Sequence, residues 1–170
     1  AFEWRFEFPE VLNDEGDFVG FDVVIGNPPY GVNFSDIEKK YLTSFDVDVP
    51  DYEIYIYFTS LSKRILKVDG FLSYIFPNTF LSTKFGIKYR IKIFDETQVY
   101  QIVDLSSDNT FEDASVRTCV FSFKKSNQNY KSEFYGVNNK QFYLKENFDK
   151  AFYLAQMATL REKSVMDNKN

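Results

Sequence analysis

Apolar residues along the chain fall into short runs separated by polar segments, and the lengths of these runs are typical of β-strands. Each run is rich in Val, Ile, Leu, Phe or Tyr and is bounded by Gly, Pro, Asn, Asp or Ser. Such runs predict strands that are buried in a sheet. In chain order they cover residues 21–26, 70–77, 99–106 and 116–125, and residues 133–144 suggest one more short strand.

Two segments between these strands show the three- and four-residue apolar spacing of helices. In the first, residues 51–67, Asp51 is a candidate N-cap and Asp69-Gly70 ends the helix. The second covers residues 83–94. Helices therefore alternate with the first three strands.

The remaining segments are predicted to be peripheral. Residues 1–12 alternate aromatic and charged side chains, which is typical of an edge strand or an extended arm. Residues 27–50 form a polar loop with a short helix over 35–41, and residues 147–170 have a helical pattern. The predicted division is an arm and loop (1–20), an α/β core (21–145) and a C-terminal helical tail (146–170).

The order strand, helix, strand, helix, strand, strand predicts a doubly wound α/β sheet with an antiparallel hairpin at one edge. In such sheets ligands bind at the carboxyl ends of the strands. That edge would carry Asn27 to Tyr30, Pro77-Asn78 and the loop after Leu105.

The 170 residues have the composition of a globular protein, with 44% hydrophobic and 26% charged residues. Aromatic residues reach 19%, which suits either a core built of Phe or surfaces on which flat ligands such as bases stack. The net charge of -5 argues against a free-standing nucleic-acid binder, because such proteins usually present a basic face.

Two residue counts restrict the chemistry and the compartment. The chain has no histidine, which removes the commonest general base, Ser-His triads and most zinc sites. Cys119 is its single cysteine, so no internal disulfide is expected and a cytoplasmic location is predicted. Neither a membrane-spanning apolar run nor a signal peptide is present in the sequence, so no membrane contact is predicted.

The four residues after the first strand, Asn27-Pro28-Pro29-Tyr30, combine groups that suit a planar NH2 group. Asn27 has a side-chain carbonyl, and Pro28 offers a backbone carbonyl without an N–H. Two such oxygens can accept both hydrogens of the NH2 group while the ring of Tyr30 stacks on the attached ring. The nitrogen is then pulled toward tetrahedral geometry, and its lone pair can attack an electrophile. This activation needs no general base, which fits a chain without histidine.

NPPY after an apolar strand resembles the catalytic motif of S-adenosylmethionine-dependent methyltransferases that modify amino groups, above all the adenine-N6 DNA methyltransferases. The resemblance implies that Asn27, Pro28, Pro29 and Tyr30 are catalytic, that Asn27 also touches the cofactor and that Tyr30 also stacks on the target base. It further implies S-adenosylmethionine as the cofactor, double-stranded DNA as the partner of the full-length enzyme, and flipping of the target base.

Three further segments carry the resemblance. In YFTSLSKRILKVDG, Phe58 matches the aromatic residue that packs on the cofactor's adenine. In NTFEDASVRTCVFSFKK, Phe111 matches the aromatic residue that stacks on the flipped base. FEWRFEFPEVL before GFDVVIGNPPY resembles the large fused restriction–methylation enzymes often called type IIG. Core packing is the alternative role for both Phe58 and Phe111.

The family's Gly-rich cofactor loop and the acidic residue that ends its second strand are not found in the chain. The resemblance places both upstream of Ala1 and a DNA-recognition domain downstream of Asn170. The chain is therefore expected to be the catalytic half of a methyltransferase domain and inactive alone. Residues 21–25 would form an exposed apolar edge, covered by residues 2–8 or, as we expect, by a second copy in a homo-oligomer.

Three other functions stay open from the sequence alone. The same tetrapeptide serves methyltransferases that act on a protein glutamine amide or on RNA bases. Glu38-Lys39-Lys40 supplies the E-x-K of a nuclease, with Asp22 upstream. The third is a catalytically silent interaction module kept for its fold.

Overall fold

The computed structural model describes residues 3–47, 49, 53–83, 86–105, 116–126, 131–138 and 141–149. Among these residues, no helix has both the length and the apolar character that a bilayer crossing requires. The elements in chain order are α1 (Trp4–Glu7), a 3-10 turn (Pro9–Val11), β1 (Phe21–Gly26), α2 (Asp36–Phe45), α3 (Ile54–Ile65), β2 (Leu66–Pro77), α4 (Thr79–Ser82), α5 (Ile87–Glu96), β3 (Gln98–Asp104), β4 (Thr118–Lys124), β5 (Lys131–Asn138) and β6 (Gln141–Asp149).

In the part of the chain that the structure describes, six strands form one mixed sheet in the order β1-β2-β4-β3-β5-β6. β1 runs parallel to β2 and β3 runs parallel to β5, while β4 is antiparallel to both of its neighbours. β5 and β6 form an antiparallel hairpin at one edge of the sheet. The predicted α/β class with an antiparallel edge hairpin is therefore confirmed.

The predicted strand over residues 116–125 lies inside the sheet and not in the hairpin at its edge. It forms β4, which is inserted between β2 and β3. Its residues Cys119, Phe121 and Phe123 are fully buried. Two neighbours satisfy the backbone hydrogen bonds of such an apolar strand on both sides, and the helices remove its rings from water.

The hydrophobic core lies on the face of the sheet against which α3 and α5 pack. Every second residue of β2 from Gly70 to Phe76 is buried, as expected for one covered face. The rings of Tyr55 and Phe76 stack with centroids 5.0 Å apart, and those of Phe94 and Phe121 lie 6.3 Å apart. Burial of each such ring contributes about 1.5–3 kcal/mol to stability.

The junction between α3 and β2 differs from the prediction. The helix ends at Ile65, and the strand begins at Leu66 rather than at Gly70. Leu66 is buried and pairs with Phe21. Residues 66 and 67, which the apolar spacing predicts to be helical, therefore belong to β2 because they pair with β1. A Cβ at Gly20 would lie only 2.6 Å from the carbonyl oxygen of Ile65. This close approach of the two chain segments therefore requires glycine.

The N-terminal residues are folded back and do not form the predicted extended arm. α1 and the 3-10 turn occupy the region that was expected to be extended. Phe8 and Phe18 lie edge-on to the ring of Phe21, with ring centroids 5.8 and 6.3 Å away. Val11 is buried. Apolar contacts with the start of β1 thus decide the path of this segment.

The C-terminal part of the core also differs from the prediction. Residues 131–138 and 141–149 form two strands where the sequence suggested one. Residues 147–149 belong to β6 and not to a helical tail, whereas residues 150–170 lie outside the described residues.

β1 is an edge strand, as the sequence predicted. Within the described residues it pairs only with β2, and its Val23 and Ile25 side chains are 61% and 79% exposed. Edge strands with exposed apolar residues recruit further strands. We therefore expect the chain to self-associate through β1 at micromolar concentration.

Light scattering combined with hydrogen exchange tests this expectation. Wild-type chain should form a dimer or a larger species in which the amides of residues 22–25 are protected. Ile25→Lys should yield a monomer, whereas Ile37→Lys, at an exposed position on α2, should not change the assembly. A wild-type monomer with fast exchange at Val23 and Val24 would show that this edge has no partner.

Candidate functional site

Three strands deliver chain segments to one edge of the sheet. β2 and β3 are both antiparallel to β4, and β1 is parallel to β2, so β1, β2 and β3 all end at the same edge. There the N–H of Asn78 donates to the carbonyl oxygen of Arg117 at 2.9 Å, and the N–H of Leu105 donates to that of Thr118 at 3.0 Å. The start of Asn27–Tyr30 and Pro77-Asn78 therefore lie at the carboxyl edge as predicted. Leu105 lies there too, whereas the predicted loop after it, residues 106–115, is outside the described residues.

The segment Asn27–Tyr30 is anchored at alternate positions. It follows Gly26, which pairs with Tyr74 of β2. Asn27 and Pro29 are exposed, whereas Pro28 is buried and the half-buried Tyr30 packs against the hydrophobic core. The buried proline and the packed ring hold the backbone, and the Asn27 side chain is left accessible at the edge of the sheet.

Two backbone positions shape the approach to this segment. A Cβ at Gly26 would lie 3.4 Å from the Tyr74 ring, an ordinary van der Waals contact, so the segment begins where β1 packs beside Tyr74 of β2. Gly31, directly after the segment, has a φ of +69°, a backbone conformation that residues other than glycine rarely adopt. The tetrapeptide thus begins where β1 pairs with β2 and ends at a glycine with positive φ.

A polar group that the sequence did not single out lies at the same edge. Glu53, just before α3, is half-buried, and burial raises the pKa of its carboxyl group. The buried Tyr55 hydroxyl donates to Glu53 and accepts from Thr79, and burial, followed by the nearby carboxylate, raises its pKa. Thr79 comes two residues after the end of β2, which places this chain of three groups beside the carboxyl edge. The N-cap of α3 is Glu53 and not Asp51 as predicted, because the helix begins at Ile54.

Phe58 lies in an apolar groove between α2 and α3 and not in the core. Its side chain is 37% exposed, and the neighbouring Tyr41 is 69% exposed. Because α3 leads directly into the start of β2, its first turns lie toward the carboxyl edge of the sheet. The groove has a volume of ≈ 200 Å³ and is lined by Tyr41, Leu42, Phe45, Ile54, Tyr57, Phe58 and Leu61. Phe58 is therefore accessible to a flat ligand.

Phe111 is the one predicted site residue that lies outside the described residues, within the segment 106–115. The residues that bracket this segment, Leu105 and Val116, are at the carboxyl edge, next to the paired positions Thr118 and Asp104.

The carboxylates of the alternative nuclease function have structural roles. Glu38 accepts a hydrogen bond from the N–H of Ser35 at 2.8 Å and completes the capping box of α2. The Ser35 hydrogen bonds hold the pKa of Glu38 below its usual value. Asp22 pairs with Lys67 at 2.9 Å. Within the described part of the chain, no group of three or more carboxylate, thiol or imidazole ligands could hold a metal ion.

Comparisons with known proteins agree with this geometry. A protein of Methanocaldococcus jannaschii, assigned as a type II restriction enzyme and methyltransferase, is 32% identical over 127 residues, which are 73% of this chain and 10% of that protein. The chain thus spans about a tenth of the length of this relative.

Solved structures share the fold at low identity. A type I restriction-modification methyltransferase subunit from Streptococcus thermophilus superposes with a TM-score of 0.59 at 18% identity, over 95% of this chain and 34% of that one. A Listeria monocytogenes protein assigned to the class I S-adenosylmethionine-dependent methyltransferases gives a TM-score of 0.56 at 17% identity, over 84% of this chain and 42% of that one. The sheet is therefore a partial Rossmann-like sheet of the methyltransferase type.

The family match covers the region in which the site lies. Residues 1–111, which include β1, the Asn27–Tyr30 segment, α3 and β2, match the Eco57I restriction-modification methylase family. By this match over more than half of its length, the chain belongs to the Eco57I restriction-modification methylases.

Proposed function

We propose that the chain is the catalytic half of a methyltransferase domain that transfers a methyl group from S-adenosylmethionine to the N6 amino group of adenine in double-stranded DNA. The observation that carries the proposal is the position of Asn27–Tyr30. This segment follows β1 at the carboxyl edge of the sheet, with Asn27 exposed and Pro28 buried. Ligands of open α/β sheets bind at this edge.

In the proposed mechanism, Asn27 and Pro28 each supply one oxygen to the target amino group. The Asn27 side-chain carbonyl and the Pro28 backbone carbonyl accept its two hydrogens, and the interaction strengthens as the nitrogen becomes tetrahedral. Burial of Pro28 and packing of Tyr30 fix the segment before the base arrives. Little reorganisation is then needed during the reaction, which is the condition for effective electrostatic catalysis.

The residues of the groove between α2 and α3 fit the adenine ring of the cofactor. Four aromatic side chains line the groove, and Phe58 is exposed within it. Phe58 would stack on the ring, Tyr41 would cover it from α2, and Asn27 would contact the cofactor from the edge of the sheet. When bound, S-adenosylmethionine supplies a methyl group on a sulfonium centre.

Glu53 is our candidate acceptor for the proton that the amino group loses after methylation. Its carboxyl group lies at the carboxyl edge of the sheet and is hydrogen-bonded to Tyr55. Burial raises its pKa, which makes the carboxylate a better proton acceptor than one in water.

The target base would lie between Tyr30 and Phe111. Part of the Tyr30 ring is accessible while the rest packs on the core, so the ring can present a fixed stacking surface. Phe111 would provide the second surface for a base that has been flipped out of the duplex.

The family favours DNA over the alternative substrates. Amides of protein glutamine and amino groups of RNA bases would present the same NH2 group to Asn27 and Pro28. The family is that of restriction-modification methylases, and the M. jannaschii relative is assigned as a restriction enzyme as well as a methyltransferase. A silent interaction module would not require an accessible Asn27 beside a buried Pro28.

Asn27→Ala in the intact protein that carries this chain should reduce methyl transfer to DNA by about a hundredfold or more, because one of two preorganised acceptors is lost. DNA binding should stay within about twofold, since Asn27 is exposed and contributes little to folding. Transfer from labelled cofactor and DNA binding are measured in parallel. Asn33→Ala, at another exposed asparagine of the same loop, is the matched control. A variant that keeps a tenth of wild-type activity would refute the role of Asn27.

Phe58→Ala should lower the free energy of unfolding by about 1–2 kcal/mol, because 37% of the residue is already exposed and less apolar area is lost than at a buried Phe. Phe76→Ala should lower it by about 3–5 kcal/mol, because Phe76 is fully buried. Urea unfolding of the two variants gives both values. In the intact protein, Phe58→Ala should also weaken S-adenosylmethionine binding by about tenfold. Equal destabilisation by the two substitutions would assign Phe58 to the core.

Phe111→Ala should weaken capture of the flipped base by about 1–3 kcal/mol, and Phe111→Trp should preserve it because the larger ring also stacks. A fluorescent base analogue at the target position of the DNA reports the flipped state in the intact protein. Equal fluorescence from wild type and Phe111→Ala would show that Phe111 does not touch the base.

A further inference from the structure

A second cavity, with a volume of ≈ 310 Å³, lies near the starts of β2 and β3, whereas Asn27–Tyr30 follows the end of β1. α3 and α5 both end there, because they lead directly into the starts of β2 and β3. Lys125, which follows β4, reaches the same edge through the contact of its Nζ with the carbonyl oxygen of Leu66. The residues that line the cavity are Asp46, Ser60, Lys63, Arg64, Tyr89, Lys92, Ile93, Glu96 and Lys125.

The side chains around this cavity have an excess of positive charge. Among the described residues of the lining, four are cationic and two are carboxylates, which leaves an excess of two positive charges. Lys63 pairs with Glu96, and Lys92 Nζ lies 2.8 Å from Asp46 Oδ1. These two pairs account for both carboxylates of the lining.

The two remaining cations contact neutral groups. Arg64 Nη2 donates to the carbonyl oxygen of Phe45 at 2.6 Å, and its guanidinium group lies 3.9 Å from the centroid of the Phe45 ring. Lys125 Nζ donates to the carbonyl oxygen of Leu66 at 2.6 Å. A carbonyl or a ring accepts a hydrogen bond or a cation but carries no net charge. The charges of Arg64 and Lys125 are therefore not neutralised by these contacts.

Partial burial makes the accumulated charge unfavourable in the empty cavity. Burial lowers the pKa of Lys63, and repulsion from Lys92, Lys125 and Arg64 lowers it further, while Asp46 acts in the opposite direction. Burial also lowers the pKa of Lys125. An anion bound among these cations would offset their mutual repulsion and would compensate part of the cost of removing the charged Lys63 and Lys125 from water.

A buried polar network gives the cavity a fixed floor. Asp46 is 8% exposed, and its Oδ2 accepts from Ser60 Oγ at 2.6 Å. Tyr89 Oη lies 2.9 Å from Ser60 Oγ and must donate to it, since the Ser60 proton is directed to Asp46. These bonds connect the C-cap of α2 with the middle of α3 and the first turn of α5. The cations above them are thus held on elements whose relative positions are set by buried hydrogen bonds.

We propose that this cavity binds an oxyanion of the phosphate class. A phosphate group carries between one and two negative charges at neutral pH and offers several acceptor oxygens, which matches an excess of two cations with Arg64 among them. The cavity volume is at the lower end of small-molecule sites, about 300 Å³. The phosphate belongs either to a small phosphorylated molecule or to a nucleic-acid backbone. This proposal does not depend on the methyl-transfer proposal.

Calorimetric titration of the 170-residue chain with pyrophosphate, in a phosphate-free buffer, tests the site. Wild type should show saturable binding. Lys125→Met and Arg64→Met should each weaken the affinity by about tenfold, because each removes a charge-assisted hydrogen bond. Lys124→Met is the matched control, because Lys124 precedes Lys125 in the chain but pairs with Asp69 outside the cavity. Its affinity should stay within about twofold of wild type.

Circular dichroism confirms that each variant is folded, and Arg64→Met decides the test if Lys125→Met does not fold. The absence of saturable binding by wild type would overturn the proposal, as would an equal loss in Lys124→Met and Lys125→Met. Two further titrations, with adenosine monophosphate and with a short DNA duplex, identify the source of the phosphate. The ligand class is the one whose binding is displaced by pyrophosphate and is weakened by Lys125→Met.

Discussion

The parallel pairing of β1 with β2 is the interaction on which the candidate site depends. It begins at Phe21 and Leu66, where Gly20 allows a close backbone approach to Ile65, and it continues to Gly26 and Tyr74. This register fixes where β1 ends and therefore where Asn27 emerges. A one-residue slip would move the side chains of β1 to the opposite face and displace the segment that follows. The local sequence and the long-range strand pairing thus act together to place the Asn27–Tyr30 segment.

The groups at the carboxyl ends of the strands β1, β2 and β3 differ in charge from those at their opposite ends. At the carboxyl ends of β1 and β2 lie the exposed Asn27, the half-buried Tyr30 and, just before α3, the half-buried Glu53. At the opposite edge, cations outnumber carboxylates around a cavity with a hydrogen-bonded floor. Uncharged acceptors are suited to a neutral amino group, whose hydrogens they bind without a proton transfer. Cations are suited to an oxyanion. The aromatic groove and the charged cavity adjoin, since the Phe45 ring of the groove lies 3.9 Å from the Arg64 guanidinium group of the cavity.

Local signals in the sequence predicted those parts of the site that are continuous in the chain. The apolar run before NPPY placed Asn27 after a strand, and the order of elements placed Asn78 and Leu105 at the same edge. Interactions between distant residues account for the errors. The sequence of β4 cannot show which strands become its neighbours, and only pairing with β1 ends α3 at Ile65. Contacts with Phe21 fold back the N-terminal segment.

The charged cavity had no local signal at all. Its cations come from α3, from α5 and from the residue after β4, and they meet only because these elements end at one edge. Glu53 likewise has no signal in the local sequence. Its burial and its hydrogen bond to Tyr55 arise only when α3 packs in the folded chain.

Identification of the methylated product is the most direct test of the central claim, that the NPPY segment activates the amino group of adenine. The intact protein is incubated with DNA and with S-adenosylmethionine that carries a labelled methyl group. The DNA is then digested to nucleosides, which are separated and identified by mass spectrometry. The account predicts that the label is found in N6-methyladenine. Label found only in methylcytosine, in RNA or in protein would contradict it.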